Sequence, residues 1–203
     1  MPNWCDNQVT ITGPNSVIDK IEKIVNEEKD AGGLLNFFYP MPKELRDTTA
    51  DGTERKNLLK KYGHSDWYGW ATDNWSTKWD IVEFYGANRQ GDTISFAFSS
   101  AWSPPIGAYE NFLAKNEDCS LKAYYYEGGC DFMGEWDNGS DDCYAPSDFK
   151  STDDFWNDGV GSTLDDMFNI TESMAEYEAE QEAEKEDVTE YTKGNPVNIG
   201  EEA

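Results

Sequence analysis

Positively charged residues are scarce in this sequence. Its 203 residues include 16 Lys and Arg against 41 Asp and Glu, which gives a formal net charge of -25. A charge of this sign repels phosphate backbones and anionic lipid headgroups by simple Coulomb repulsion. The composition therefore disfavours direct binding to DNA, RNA or a membrane surface, and it favours a partner that is itself basic.

The residue types of common catalytic and metal sites are also sparse. His64 is the single histidine, so any Ser/His or Cys/His chemistry would depend on it alone. No glycine-rich phosphate-binding motif follows a strand pattern. The cysteines form no CxxC pair, and we expect mostly buried thiols; they are Cys5, Cys119, Cys130 and Cys143. We therefore assign no catalytic residue, no cofactor and no metal ligand, and we favour a non-enzyme.

Long apolar runs are missing as well. The sequence has no stretch of about 18 apolar residues, which a membrane-spanning helix needs. The first residues show no basic region followed by an apolar one, so they do not read as a secretory signal. We expect neither a spanning helix nor a signal peptide, and we expect a cytoplasmic protein.

What the sequence does contain is a strong asymmetry of charge. Residues 1–126 hold 18 acids and 13 bases, whereas residues 127–203 hold 23 acids and 3 bases. The length suits one ordinary domain with a tail. We predict a folded domain over residues 1–145, followed by an acidic C-terminal extension over residues 146–203 that is partly helical and then disordered.

Hydrophobic periodicity predicts an α+β fold. The four predicted strands and two predicted helices lie at residues 7–13, 17–29 (helix), 81–85, 92–99, 105–115 (helix) and 120–126. A helical insertion over about residues 40–80 separates the first helix from the second strand. This order is that of a ferredoxin-like split βαβ sandwich, an antiparallel sheet with both helices on one face.

Two shorter patterns carry predictions of their own. Residues 34–38 form an apolar run before Pro40, which favours a short strand or an extended entry into a helix. Gly128 and Gly129 predict a type I′ turn, in which both central residues need positive φ, leading into a strand at residues 132–136.

Four segments together resemble the YubB-type ferredoxin-like family of plasmid and bacteriophage proteins. They are residues 1–7 (Met-Pro-Asn-Trp-Cys-Asp-Asn), 74–80 (Asn-Trp-Ser-Thr-Lys-Trp-Asp), 98–105 (Phe-Ser-Ser-Ala-Trp-Ser-Pro-Pro) and 126–136. The resemblance covers roughly residues 1–145, and it departs at Ser76, where glycine is expected. It implies a ferredoxin-like sandwich and a plasmid or phage origin, with the host cytoplasm as the place of action. It implies no activity, so it transfers no catalytic residue.

A first candidate site is a cluster of tryptophans and charges within these segments. Its members are Trp75, Lys78, Trp79, Asp80 and Trp102. In a cleft, tryptophan faces with one lysine can hold a nucleobase or another flat ligand by stacking. The alternative is structural: Lys78 and Asp80 form an ion pair or a cap at a helix-to-strand junction packed under the tryptophans.

A second candidate site is an acidic face for a protein partner. Its members are Asp131, Glu135, Asp137, Asp141, Asp142, Asp153 and Asp154. Their spacing does not match an EF-hand loop, although hard cations prefer oxygen ligands, so a solvated acidic loop is favoured over a calcium site.

These observations leave two functions to weigh. Concentrated negative charge attracts basic surfaces, which suggests an inhibitor that mimics nucleic acid and occupies the basic groove of a host nuclease, polymerase or defence protein. The alternative is a small-ligand or nucleotide-binding protein, or an enzyme, that uses the tryptophan cluster. A third explanation involves no binding at all: the charge only keeps the protein in solution.

Overall fold

The computed structural model describes residues 3–26, 33–175 and 179. The chain divides into two compact units, residues 1–148 and residues 149–203. Within the described residues, no helix has the length and apolarity needed to cross a bilayer.

The first unit is built on a six-stranded, wholly antiparallel sheet. Its strands are β1 (Trp4–Thr12), β2 (Tyr85–Gln90), β3 (Thr93–Ala101), β4 (Ser120–Glu127), β5 (Phe132–Asp137) and β6 (Ser140–Tyr144). They lie in the order β2-β3-β1-β4-β5-β6. Strand β1 is central and pairs along its whole length with β3, from Trp4 opposite Ala101 to Thr12 opposite Thr93.

Within the residues that the structure describes, six α-helices accompany this sheet. They are α1 (Asn15–Asn26), α2 (Leu34–Phe38), α3 (Lys43–Arg46), α4 (Lys56–Tyr62), α5 (Trp67–Trp75) and α6 (Ile106–Lys115). Helices α1 and α6 cover one face of the sheet, where Val9 and Ile11 of β1 share a core cluster with Ile18 of α1 and Phe112 of α6. Each fully buried aliphatic side chain contributes roughly 1.5–3 kcal/mol to stability.

The period-two pattern of β1 explains which side chains face the core. Cys5, Asn7, Val9 and Ile11 are buried, and the residues between them are exposed or half-buried. Arg89 on the edge strand β2 forms ion pairs with Asp19 and Glu22 of α1. These contacts tie the first helix to the edge of the sheet.

The α+β class and the antiparallel sheet predicted from the sequence are confirmed. The strand predicted at residues 81–85 is wrong, because β2 runs from Tyr85 to Gln90 and so starts where the predicted strand ends. A register shift between Tyr85 and Asn88, with positive φ at Gly86, carries the strand past that point. The chain reverses at Gly91 instead, where φ is +63.

Residues 34–38 are helical in α2, so both the short strand and the extended entry predicted as alternatives there are wrong. The turn after β4 differs from the prediction too, since positive φ occurs at Asp131 and not at the two glycines. Glycine is needed there for close approach: a Cβ at Gly129 would meet the Glu127 carboxylate at 2.9 Å. That buried carboxylate accepts hydrogen bonds from the Gly129 and Cys130 N–H groups.

The described part of the second unit is helical. It contains α7 (Thr152–Asn157), α8 (Gly159–Phe168) and further helical residues at 170–175. Ser151 caps α7 by accepting from the Asp154 N–H, and Asp158 caps α8 by accepting from the Val160 N–H at 2.9 Å. Phe155 and Leu164 are buried. The disordered end predicted for the extension lies outside the described residues.

Candidate functional site

Asp80 holds the start of α2 from a distance of 45 residues along the chain. Its Oδ1 accepts hydrogen bonds from the N–H groups of Leu35 (2.7 Å) and Ile81 (2.8 Å), and its Oδ2 accepts one from Asn36 (3.1 Å). The first N–H groups of a helix have no partner within the helix, so a carboxylate placed there acts as a cap. Of the two roles that the sequence allowed, Asp80 has the structural one.

The surroundings of Asp80 are shaped to admit it. A Cβ on Gly33 would lie 2.0 Å from the carboxyl carbon of Asp80, so only glycine fits beside it. Burial raises the pKa of Asp80 above its usual value, and the backbone N–H groups that bond to the carboxylate oppose this rise. Asp80 therefore has a structural role, which is to anchor the start of α2.

Trp75 is the second member of the cluster with a structural role. Its side chain is 4% exposed and belongs to the core. The indole Nε1–H donates to the carbonyl oxygen of Tyr39 at 2.8 Å, and the ring meets Trp70 edge to face with centroids 5.5 Å apart. An indole that is almost wholly buried, with its N–H already bonded, contributes mainly to the core.

Lys78 and Trp79 point away from this core. The Lys78 ammonium lies 4.3 Å from the centre of the Trp79 ring and 5.6 Å from the centre of the Tyr68 ring. A cation over an aromatic face within about 6 Å is stabilised by the ring quadrupole. The partners that the structure gives Lys78 are thus aromatic rings, and the ion pair with Asp80 that the sequence allowed is replaced by this contact.

Trp79 and Asp80 separate two surface grooves. One groove, of about 570 Å³, is lined by Trp4, Val82, Glu83, Tyr85 and Ser99 together with these two residues. The other, of about 410 Å³, is lined by Asn36, Arg46, Trp67, Trp75 and Lys78 together with the same two. We call the first the Trp4–Trp79 groove; the two rings that name it have centroids 6.2 Å apart and are tilted by 38°.

Trp102 does not line either groove. It follows β3 with φ at +74, and its N–H donates to the carbonyl oxygen of Asn3 at 3.0 Å. Positive φ is uncommon for a bulky residue and marks a local constraint. The structure thus brings together four of the five residues of the predicted cluster, and Trp102 stands apart.

Ser76, which departs from the resemblance, occupies a position that favours glycine. Its φ is +64, in the left-handed conformation that ends α5. Its Oγ accepts a hydrogen bond from the Gly107 N–H at 3.1 Å, at the start of α6. A Cβ on Gly107 would meet the Asn74 carbonyl oxygen at 2.5 Å, so the two helix ends approach closely. The serine therefore fastens α5 to α6.

The acidic residues of β5 and β6 are divided between the two faces of the sheet. Glu135 and Asp142 are opposite each other, and Asp141 is opposite Trp136 on the other face. Lys122 lies 2.8 Å from Glu135 and 3.8 Å from Asp137, which neutralises part of their charge. These carboxylates do not form one uninterrupted patch.

Two further acids of the predicted face have structural contacts. Asp141 accepts a hydrogen bond from the hydroxyl of buried Tyr125 at 2.7 Å. The pKa of Tyr125 is raised, mainly because its hydroxyl is buried and secondly because of its hydrogen bond to the Asp141 carboxylate. Asp131 accepts hydrogen bonds from the N–H and hydroxyl of Ser147. In the second unit, Asp153 and Asp154 occupy the exposed first turn of α7.

Sequence reasoning missed Trp4, Val82 and Tyr85 as surface residues of a site. A signal for Trp4 was present, because strict alternation along β1 places it on the face opposite Cys5 and Asn7. Tyr85 ends the strand predicted at residues 81–85, whereas in the structure it begins β2 and is 56% exposed. For Val82 the sequence offers no signal.

No family model matches the chain, and no curated protein matches it. One solved structure that it resembles is the crystal structure of protein api92 from Yersinia pseudotuberculosis, described under the family model DUF1281. The identity is 11%, the match covers 73% of this chain and 96% of that one, and the TM-score is 0.40.

Proposed function

We propose that this chain is an acidic binding protein that engages a basic partner protein and mimics the charge of nucleic acid. The observation that carries the proposal is the distribution of charge. Residues 127–203 hold 23 acids and 3 bases, and β6 displays Asp141 and Asp142 on an exposed edge strand. Charges of one sign at this density attract an oppositely charged surface and accelerate association with it.

The finer description of the fold belongs to the same proposal. The first four strands lie in the order β2-β3-β1-β4 and are connected through α1 and α6. This order supports a ferredoxin-like sandwich extended by the β5–β6 hairpin and by the helical insertion. We propose with it a place among the YubB-type proteins of plasmids and phages, and an action in the host cytoplasm.

The contacts within the first unit refine which acids take part. Asp141 and Asp131 hold Tyr125 and Ser147, and Glu135 shares its charge with Lys122. Asp142 of β6 and Asp153 and Asp154 of α7 are exposed, and their carboxylates are not used in the contacts just described. These three are the better candidates for steering a basic partner.

A second function is favoured by one observation, the Trp4–Trp79 groove. Its volume of about 570 Å³ is within the range of small-ligand sites, and two of its walls are tryptophan rings. A nucleotide or another flat ligand is the alternative occupant. The two functions predict different competitors, since nucleic acid competes for a basic partner and a nucleobase competes for the groove.

The proposal is tested by affinity capture from bacterial lysate followed by binding measurements on the purified pair. We expect a basic partner that is retained at about 0.1 M salt and released at about 1 M, where the Debye length falls from about 10 Å to about 3 Å. Duplex DNA should displace the chain from that partner. A partner that stays bound at high salt and binds DNA simultaneously contradicts the mimicry.

A further inference from the structure

The Trp4–Trp79 groove exposes an unusual amount of aromatic surface. Trp4 is 53% exposed, Tyr85 is 56% exposed and Trp79 is 38% exposed, and all three line the same groove. Val82 adds an exposed apolar side chain to it. Exposed apolar surface that is gathered in one place, with polar residues around it, marks an interaction site.

These aromatic side chains are held in place by the fold beneath them. Trp4 is paired with Ala101 in the central strands. Trp79 lies two residues after Thr77, whose hydroxyl donates to the Ala101 carbonyl oxygen at 2.8 Å, and directly before Asp80, the cap of α2. A surface that is ordered before binding loses little conformational entropy when a partner arrives.

The charges around the groove select a cationic occupant. Glu83 lines the groove, and Asp6 accepts a hydrogen bond at 2.8 Å from Ser99, another lining residue. Aromatic faces attract cations through their quadrupole, and carboxylates at the rim add Coulomb attraction. A phosphate-bearing occupant would be repelled by these carboxylates and by the net charge of -25.

Trp79 already carries a cation within the chain. The Lys78 ammonium lies 4.3 Å from the centre of its ring and lines the second groove, so the indole already makes a cation–π contact on that side. A guanidinium is planar, is more weakly hydrated than an ammonium and stacks on aromatic rings while it donates hydrogen bonds to carboxylates. Arginine therefore fits the tilted Trp4 and Trp79 rings better than lysine does.

We propose that the Trp4–Trp79 groove binds an arginine side chain of a basic partner protein. This inference rests on the proposed function and names the contact site for it. The acids of the second half then steer the partner over distance, and the groove makes the short-range contact.

A titration with defined peptides tests the inference. The probes are a nine-residue Gly-Ser peptide with a central arginine and the same peptide with citrulline, its neutral isostere. NMR follows the indole N–H signals of the isotopically labelled chain, assigned by single Trp→Phe changes. We expect saturable shifts of the Trp4 and Trp79 signals with the arginine peptide, and affinity at least about fivefold weaker with citrulline.

Variants separate the groove from other surfaces. We expect Trp79→Ala and, independently, Tyr85→Ser to weaken arginine-peptide binding at least about fivefold. The matched control is Trp156→Ala, because Trp156 is 50% exposed and belongs to α7 of the second unit. Circular dichroism checks that each variant is folded. If Trp79→Ala does not fold, Tyr85→Ser alone still tests the groove.

The outcomes distinguish this inference from the proposed function. Binding that survives both groove variants but weakens when Asp142, Asp153 and Asp154 become Asn overturns the groove assignment and leaves the acidic binding protein intact. Equal binding of arginine and citrulline, or tighter binding of AMP than of the arginine peptide, also overturns it. If neither peptide binds, the groove assignment is wrong and the lysate capture decides the proposed function separately.

Discussion

The aromatic segment of residues 74–82 and the acidic hairpin of β5 and β6 each combine side chains that stabilise the fold with side chains that face outward. In the aromatic segment, Trp75 and Asp80 serve the fold while Lys78 and Trp79 face outward. In the hairpin, Asp141 serves the fold while Asp142 faces outward. Neighbours in sequence thus have opposite roles, and residue type alone does not reveal which role a side chain has.

The largest difference is expected between the two tryptophans of the aromatic segment. Trp75→Ala should lower the free energy of unfolding by about 3–5 kcal/mol, because it removes a buried indole and its hydrogen bond to Tyr39. Trp79→Ala should cost only about 1 kcal/mol, since its ring is partly in water. Urea unfolding of both variants measures this. Equal losses would mean that Trp79 is also part of the core.

A smaller loss is expected at the cap of α2. Asp80→Ala leaves three backbone N–H groups without their acceptor and should cost about 1–3 kcal/mol. Asp80→Asn keeps one acceptor oxygen and should cost less. The control is Glu54→Ala, at an exposed position. Thermal unfolding compares the three, and an Asp80→Ala variant as stable as the Glu54→Ala variant would show that the cap contributes nothing.

The smallest stability effect separates adjacent acids of the hairpin. Asp141→Asn weakens the acceptor of the Tyr125 hydroxyl, so we expect a loss of about 0.5–1.5 kcal/mol. Asp142→Asn, on the opposite face, should change the free energy of unfolding by less than about 0.5 kcal/mol. Chemical denaturation of the pair gives the comparison. A reversed order would place Asp142, and not Asp141, in the structural role.

The sequence predicts the elements whose stability is local and misses those that depend on distant partners. Alternation at Val9 and Ile11 correctly predicts β1, and helical spacing at Ile18 and Ile21 correctly predicts α1. Helix α2 is missed because its first turn is capped by Asp80, far along the chain. No local pattern at residues 34–38 carries that information.

The same limit applies to the candidate site. Trp75, Lys78, Trp79 and Asp80 are adjacent in sequence, so their proximity is predictable. That Trp4 and Tyr85 join Trp79 in one groove depends on how β1 and β2 are aligned by β3. The register of three strands cannot be derived from the spacing of residues within any one of them.

The rate of association with a basic peptide tests most directly whether the acidic residues steer a partner. A labelled peptide with three arginines is mixed by stopped flow with three forms of the chain. The first form is unchanged. In the first variant Asp137, Asp142, Asp153 and Asp154 become Asn, and in the control variant Asp47, Glu54, Glu110 and Glu117 become Asn or Gln. Both variants lose the same charge. We predict a rate that falls steeply between about 0.1 M and about 1 M salt, and at low salt a several-fold slower rate for the first variant than for the control. Equal rates for the two variants, or a rate that ignores salt, would contradict the account.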